Sequence, residues 1–165
     1  MKRLNDENSR KLVKYILDNK EGISTKPSDI EEIDFVSTKN NDSAIEYGIK
    51  VFYRNIPCTE TRSQVWEKIT LQDIKEDCKK QNLVPTIAFA VRDEETEGIY
   101  IFIFTVEQME CLSREEDTKD IFRETEKGLE IKYGVGRQTR ADMLERIKRY
   151  VDYTEVRNGR KNFFD

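Results

Sequence analysis

For eleven residues, from Ala44 to Arg54, the chain alternates with a period of two. Ile45, Tyr47, Ile49, Val51 and Tyr53 fall on one side, and Glu46, Gly48, Lys50, Phe52 and Arg54 on the other. Successive strand side chains point to opposite faces, so this run reads as a long strand buried on one side. A strand of that length needs partners, and the neighbouring sequence supplies them. Ile33–Thr38 reads as a short strand, joined to the long one by the turn cluster Lys39-Asn40-Asn41-Asp42. Thr86–Val91 and Ile99–Thr105 read as two further strands around a charged turn, Asp93–Gly98. The run IYIFIF is apolar on both faces and is expected inside a sheet. Leu129, Ile131, Tyr133 and Val135 alternate as a later short strand.

Helical spacing appears between these runs. Glu7–Asn19 carries Leu12, Val13, Ile16 and Leu17 on one stripe, with Asp6 as the expected N-cap and Gly22 as a stop. That stripe is expected to pack against Ile45, Ile49 and Val51 of the long strand. Ser24–Asp29 reads as a polar loop. A second helix is expected from Thr61, on the pairs Val65/Ile69 and Ile74/Cys78, with a restart at the capping-box pattern Thr70-Leu71-Gln72-Asp73. Thr139-Arg140-Ala141-Asp142 repeats that pattern and predicts a helix carrying Met143, Leu144, Ile147 and Val151, followed by a turn at Asn158-Gly159. At 165 residues the chain suits one domain. The expected fold is α/β: a mixed sheet of about five strands flanked by helices, with its core in residues 7–111 and a C-terminal extension in 112–165.

Composition limits the chemistry. The chain has no histidine, so Ser-His-Asp and Cys-His hydrolysis, HExxH metalloprotease chemistry and His-ligated zinc are excluded within it. Catalysis would fall to carboxylates, lysine, tyrosine or oxygen-ligated metals. Cys58, Cys78 and Cys111 lack CxxC spacing and are odd in number, which predicts reduced thiols rather than a disulfide framework. No stretch reaches the ~20 apolar residues of a membrane span. The opening MKRLNDENSRK has no apolar segment behind its charges. A cytoplasmic protein with no membrane partner is expected. Net charge is −4, yet Arg137–Lys161 holds eight basic and four acidic residues. That basic segment is a candidate contact for DNA phosphates, or simply a solvated helix surface. The acidic clusters 93–95 and 115–117 lack the spacing of a calcium loop and read as solvated turns.

The order helix, two-strand meander, helix, strand, strand resembles the core of the restriction-endonuclease-like, or PD-(D/E)XK, nucleases. The resemblance covers roughly residues 7–111. It implies an acid early in the meander, matched by Asp34, and an acid and a lysine two residues apart on the next strand. The lysine is matched by Lys50, whereas Gly48 stands at the acid's position. A polar residue on the following helix would support the site, and Gln64 is placed for that. The resemblance implies Mg²⁺ held by carboxylates, activating a water and stabilising charge on the scissile phosphate beside the lysine. Asp34 and Glu46 are then the candidate metal ligands, and Asp34, Lys50, Glu46 and Gln64 the candidate catalytic set. Glu46 shares a face with Lys50 but lies ~13 Å along the strand, so Glu60 and Glu67 are alternative sources of the acid. The implied function is a nuclease-like domain that binds or cleaves DNA, with RNA as an alternative substrate. The competing reading is a non-catalytic subunit that uses the same fold to contact a protein partner.

Overall fold

The computed structural model describes residues 3–39, 42–57, 64–94, 97–134 and 145–156. Helix α1 (Asp6–Asp18) forms where the apolar stripe lies, burying Leu12, Val13, Ile16 and Leu17. Its N-cap is Asn5 rather than Asp6. The Asn5 side chain accepts from the Asn8 N–H at 2.8 Å, and the Asn8 side chain accepts from the Asn5 N–H at 2.7 Å, so two otherwise orphaned donors are satisfied reciprocally.

The segment expected as a loop at 24–29 supplies β1 (Ile23–Pro27), which pairs antiparallel with β2 (Phe35–Lys39). As an edge strand it has no buried face to show as alternation, and an edge tolerates proline. β2 pairs antiparallel with β3 (Asp42–Ile56), Phe35 facing Ile49. Ile49 is buried at 2 % exposure and Val51 packs against the same cluster, but Ile45 is 40 % exposed. The expected core face therefore starts after Ile45, because the near end of β3 extends past α1.

The region expected to be helical from Thr61 is instead β4 (Gln64–Thr70), paired with β8 (Gly128–Gly134) and through it with β7 (Phe122–Thr125) in a second, three-stranded sheet. Thr61 itself lies outside the described residues. Helix α2 (Gln72–Lys80) follows, but Leu71 is its N-cap and no side chain caps it, so Thr70 does not act as expected. The Leu71 N–H donates instead to the Lys127 carbonyl at 3.1 Å.

β5 (Val84–Asp93) lies parallel to β3 and forms a hairpin with β6 (Gly98–Thr105). α3 (Val106–Leu112), absent from the expectation, is capped by the Thr105 hydroxyl, which accepts from Gln108 N–H at 3.1 Å. β9 (Asp152–Val156) pairs with β6, leaving IYIFIF between two neighbours as expected. The main sheet runs β1-β2-β3-β5-β6-β9. Five of its strands come from the first two-thirds of the chain, and β9 adds the sixth. The mixed α/β sheet flanked by helices is thus present. The expected helix start at 139 and the turn at 158–159 lie outside the described residues, although 145–147 form a helical turn.

Two cores sit on opposite faces of the main sheet. Beneath α1, Leu12, Val13 and Leu17 meet Phe35, Ile49, Ala88 and Ile101. On the other face, Phe89 and Phe102 stack at 6.5 Å between centroids, joined by Ile74 and Cys78 of α2, Met109 of α3, and Ile69, Phe122, Leu129 and Ile131 of the second sheet. Among the described residues no helix is long and apolar enough to cross a membrane.

Candidate functional site

The pairing of β2 with β3 begins at Phe35 opposite Ile49, and Asp34 stands just before it. Here the ladder stops in an unusual way. The Asp34 N–H donates to the Ile49 carbonyl at 2.8 Å and its own carbonyl accepts from Ser28 at 3.0 Å. If β2 continued, the carbonyl of residue 33 would receive the Val51 N–H. The chain turns away instead, with Ile33 N–H on the Ile30 carbonyl. Asp34 Oδ2 takes that vacated place, accepting from Val51 N–H at 2.7 Å. A charge-assisted bond of this kind fixes the carboxylate at the end of the strand pair.

Lys50 projects from the same stretch of β3, with Nζ 4.0 Å from Glu32 Oε2 and both side chains partly exposed, at 27 % and 36 %. Glu32 was not singled out from the sequence. It sits in a turn without periodicity, and its only signal is its position two residues before Asp34.

Gly48 is buried. A Cβ built there would lie 2.7 Å from Cys78 Sγ and 3.2 Å from Leu83 Cδ1, so the position where the nuclease pattern has an acid is closed by α2 and the turn after it. Burial pushes the Cys78 thiol up to about 11, with Asp77 adding to the effect. It stays protonated at neutral pH, which argues against a nucleophilic role.

Glu46 pairs with Thr38, toward the far end of β2 from Asp34; the structure does not bring it to Lys50. Gln64 is the first residue of β4 in the second sheet, opposite Gly134, and not on a helix. The side chains of Gln64 and Glu67, and all of Glu60, lie outside the described residues. Among the described residues no group of three His, Cys, Asp or Glu is arranged to hold a metal.

Asp34 borders an open groove of about 740 Å³ between α1 and residues 27–35. Arg10, Lys11 and Lys14 line its helix wall, and Asp29, Glu31 and Asp34 line the other. Lys11 and Lys14 pair with Glu7 and Asp18 one turn away, at 2.9 and 2.7 Å.

Two of the three basic residues described in the C-terminal segment, Arg146 and Lys148, make ion pairs. Arg146 forks onto the two Asp120 carboxylate oxygens at 2.8 and 3.0 Å and reaches the Asp117 carbonyl at 3.2 Å. The hydrogen bond from Arg146 holds the Asp120 carboxyl below the usual carboxylate range. Lys148 pairs with Glu145 at 2.7 Å. Each of these two cations thus also serves an intramolecular contact. No protein-family model and no curated protein matches the chain.

Proposed function

We propose that this chain is a nuclease-like domain that acts on nucleic-acid phosphodiesters, with Asp34, Glu32 and Lys50 as its working residues. The observation that carries this reading is the Glu32 carboxylate at 4.0 Å from Lys50 Nζ, on the stretch of β3 whose Val51 N–H donates to the Asp34 carboxylate at 2.7 Å. Glu32 would then stand in for the acid missing at Gly48. The chain order supports the reading in part: α1 precedes the antiparallel pair β2-β3, and α2 leads to β5 and β6, although β4 intervenes between β3 and α2 and β1 adds a strand before the meander.

The donor set fits Mg²⁺, which accepts one or two carboxylates and keeps several waters. When bound, the ion would lower the pKa of a coordinated water and offset charge on the phosphate. Asp34, held by Val51 N–H through one oxygen, has its orientation fixed by the backbone. Lys50 supplies a positive group for the developing negative charge. The groove beside Asp34 has Arg10, Lys11 and Lys14 on the α1 wall, with Glu7 and Asp18 among them, and carboxylates on the other wall.

A second reading, binding without cleavage, is favoured by the sealed position at Gly48. One set of measurements separates the two. Calorimetric titration with Mg²⁺ and Mn²⁺ should give binding that weakens about tenfold or more on Asp34→Asn and on Glu32→Gln, since each removes a ligand charge. Cleavage of labelled single- and double-stranded DNA and RNA should stop with chelator and with Lys50→Ala. Metal binding without cleavage supports the non-catalytic reading. No metal bound at millimolar concentration, with wild-type behaviour of all three variants, removes the nuclease reading.

A further inference from the structure

A second cavity lies at the end of the main sheet where α1 stops, on the α1 face and apart from Asp34 and Lys50. It measures about 160 Å³. Leu17, Ile23, Ile49 and Ile103 form its floor with the half-buried ring of Tyr47. The two buried hydroxyls in its wall already have internal partners. Ser37 Oγ lies 2.7 Å from Thr25 Oγ1, and Thr86 Oγ1 donates to the Val84 carbonyl at 3.1 Å. These two buried hydroxyls therefore ask for no polar ligand atoms. An apolar cavity of about 150 Å³ accommodates a benzene-sized ring, so the volume sets the size of the occupant.

The mouth has the opposite character. Lys20 reaches across it to Asp152 of β9, Nζ to Oδ2 2.7 Å, and Lys39 Nζ stands 5.4 Å from the centroid of the Tyr47 ring. Two cations face one carboxylate there, leaving an excess positive charge. Partly exposed pairs such as Lys20–Asp152 are weak, so Lys20 can share its donors with an incoming anion.

From this contrast we propose that the cavity binds a small aromatic carboxylate, ring inward against Leu17, Ile23, Ile49 and Ile103, and carboxylate outward between Lys20 and Lys39. A neutral ring would leave the lysines unused, and an anion without a ring would leave the apolar floor wet. The site is independent of the nuclease reading.

The test uses benzoate as the probe in a two-dimensional ¹H–¹⁵N NMR titration of the full chain. Amide shifts are expected to cluster at residues 20, 23, 37–39, 47 and 103. Benzyl alcohol, which keeps the ring, and acetate, which keeps the charge, should each bind at least about tenfold more weakly. Loss of a charge-assisted contact is what these controls read, and tenfold corresponds to about 1.4 kcal/mol. Lys39→Ala, at an exposed position, should weaken benzoate by about tenfold and leave benzyl alcohol unchanged. Ile23→Phe, on the edge strand, should weaken both by filling the floor, with circular dichroism as the check on folding. No shifts at the cavity with millimolar benzoate overturn the proposal. So does acetate binding as tightly as benzoate, which would leave only a surface cation pair, or benzoate affinity indifferent to both variants.

Discussion

A side chain at position 48 would have to displace Cys78 Sγ, only 2.7 Å from an ideal Cβ, and Cys78 is fully buried. Gly48→Ala is therefore expected to cost about 1–3 kcal/mol, the usual range for overpacking. Because Cys78 Sγ is the nearest obstacle, with Leu83 also crowding the site at 3.2 Å, Gly48→Ala with Cys78→Ala should recover part of that loss, and a denaturant-melt double-mutant cycle should give a favourable coupling. Strict additivity would show that the two positions do not compete for space. Gly48→Glu would bury a carboxylate in the same place and should fail to fold rather than complete a metal site. At this scale the sequence offers Asp34 and Lys50 through the family resemblance alone, on two strands that its periodicity makes visible. It could not locate Glu32, which reaches Lys50 only through the turn at 28–33, nor reveal that Gly48 faces a helix. Glu46 shares the parity of Lys50, but the ~13 Å between them along the strand, legible from the strand rise, is not closed by the pairing with Thr38.

Elements with a long period were legible: α1 through its apolar stripe, β3 through alternation, β5 and β6 through their apolar runs. β4 was not, because Val65 and Ile69 satisfy a helical spacing while Val65, Glu67 and Ile69 also satisfy a strand's period of two. The β-branched and aromatic content of Val-Trp-Glu-Lys-Ile-Thr favoured the strand, and pairing with β8 decided it. β1 and β9 are edge strands and α3 is seven residues long, so none offers enough repeats to declare itself. The β4–β8 pairing rests on Gly128, where a Cβ would lie 1.9 Å from the Ile69 carbonyl oxygen. Backbone cannot rotate away as a side chain can. Gly128→Ala should then cost about 3 kcal/mol or more, the upper end for overpacking, read as a lowered melting midpoint; an unchanged midpoint would mean the strands are not so paired. Arg146 has an element-level role as well, clamping the 145–151 turn to the loop at Asp117–Asp120. Its partner's carboxyl is held below the ordinary range, so this stabilisation is present above the unfolded carboxylate value and fades as pH falls through the lowered folded one. Arg146→Ala should lower stability by up to about 1 kcal/mol at pH 7, discounted for exposure. The gap to wild type should close in acid. A variant that loses nucleic-acid affinity with full stability would reassign Arg146 to phosphate binding.

The whole molecule is organised by one sheet with a core on each face, and the smaller sheet has no separate core. Ile69, Phe122, Leu129 and Ile131 bury themselves in the same cluster as Phe89 and Phe102 of the main sheet. Strands β5 and β6 supply residues to both faces, Ala88 and Ile101 beneath α1, Phe89 and Phe102 opposite. Losing either core strips one side of those strands, so the two cores are expected to fail together. Two probes can follow this separately: fluorescence of Trp66, the single tryptophan, on β4, and far-ultraviolet circular dichroism for the main sheet and helices. In wild type the two melting curves should coincide, as two-state unfolding requires. Ile49→Ala, beneath α1, and Ile69→Ala, in the shared cluster, each truncate a side chain that is 2 % exposed. Each should cost about 2–5 kcal/mol. The decisive point is that Ile49→Ala, although it lies on the face away from β4, should shift the Trp66 transition by as much as the circular-dichroism one. If Ile69→Ala moved only the fluorescence curve, the second sheet would unfold on its own, and its shared burial with Phe89 and Phe102 would not couple the two layers.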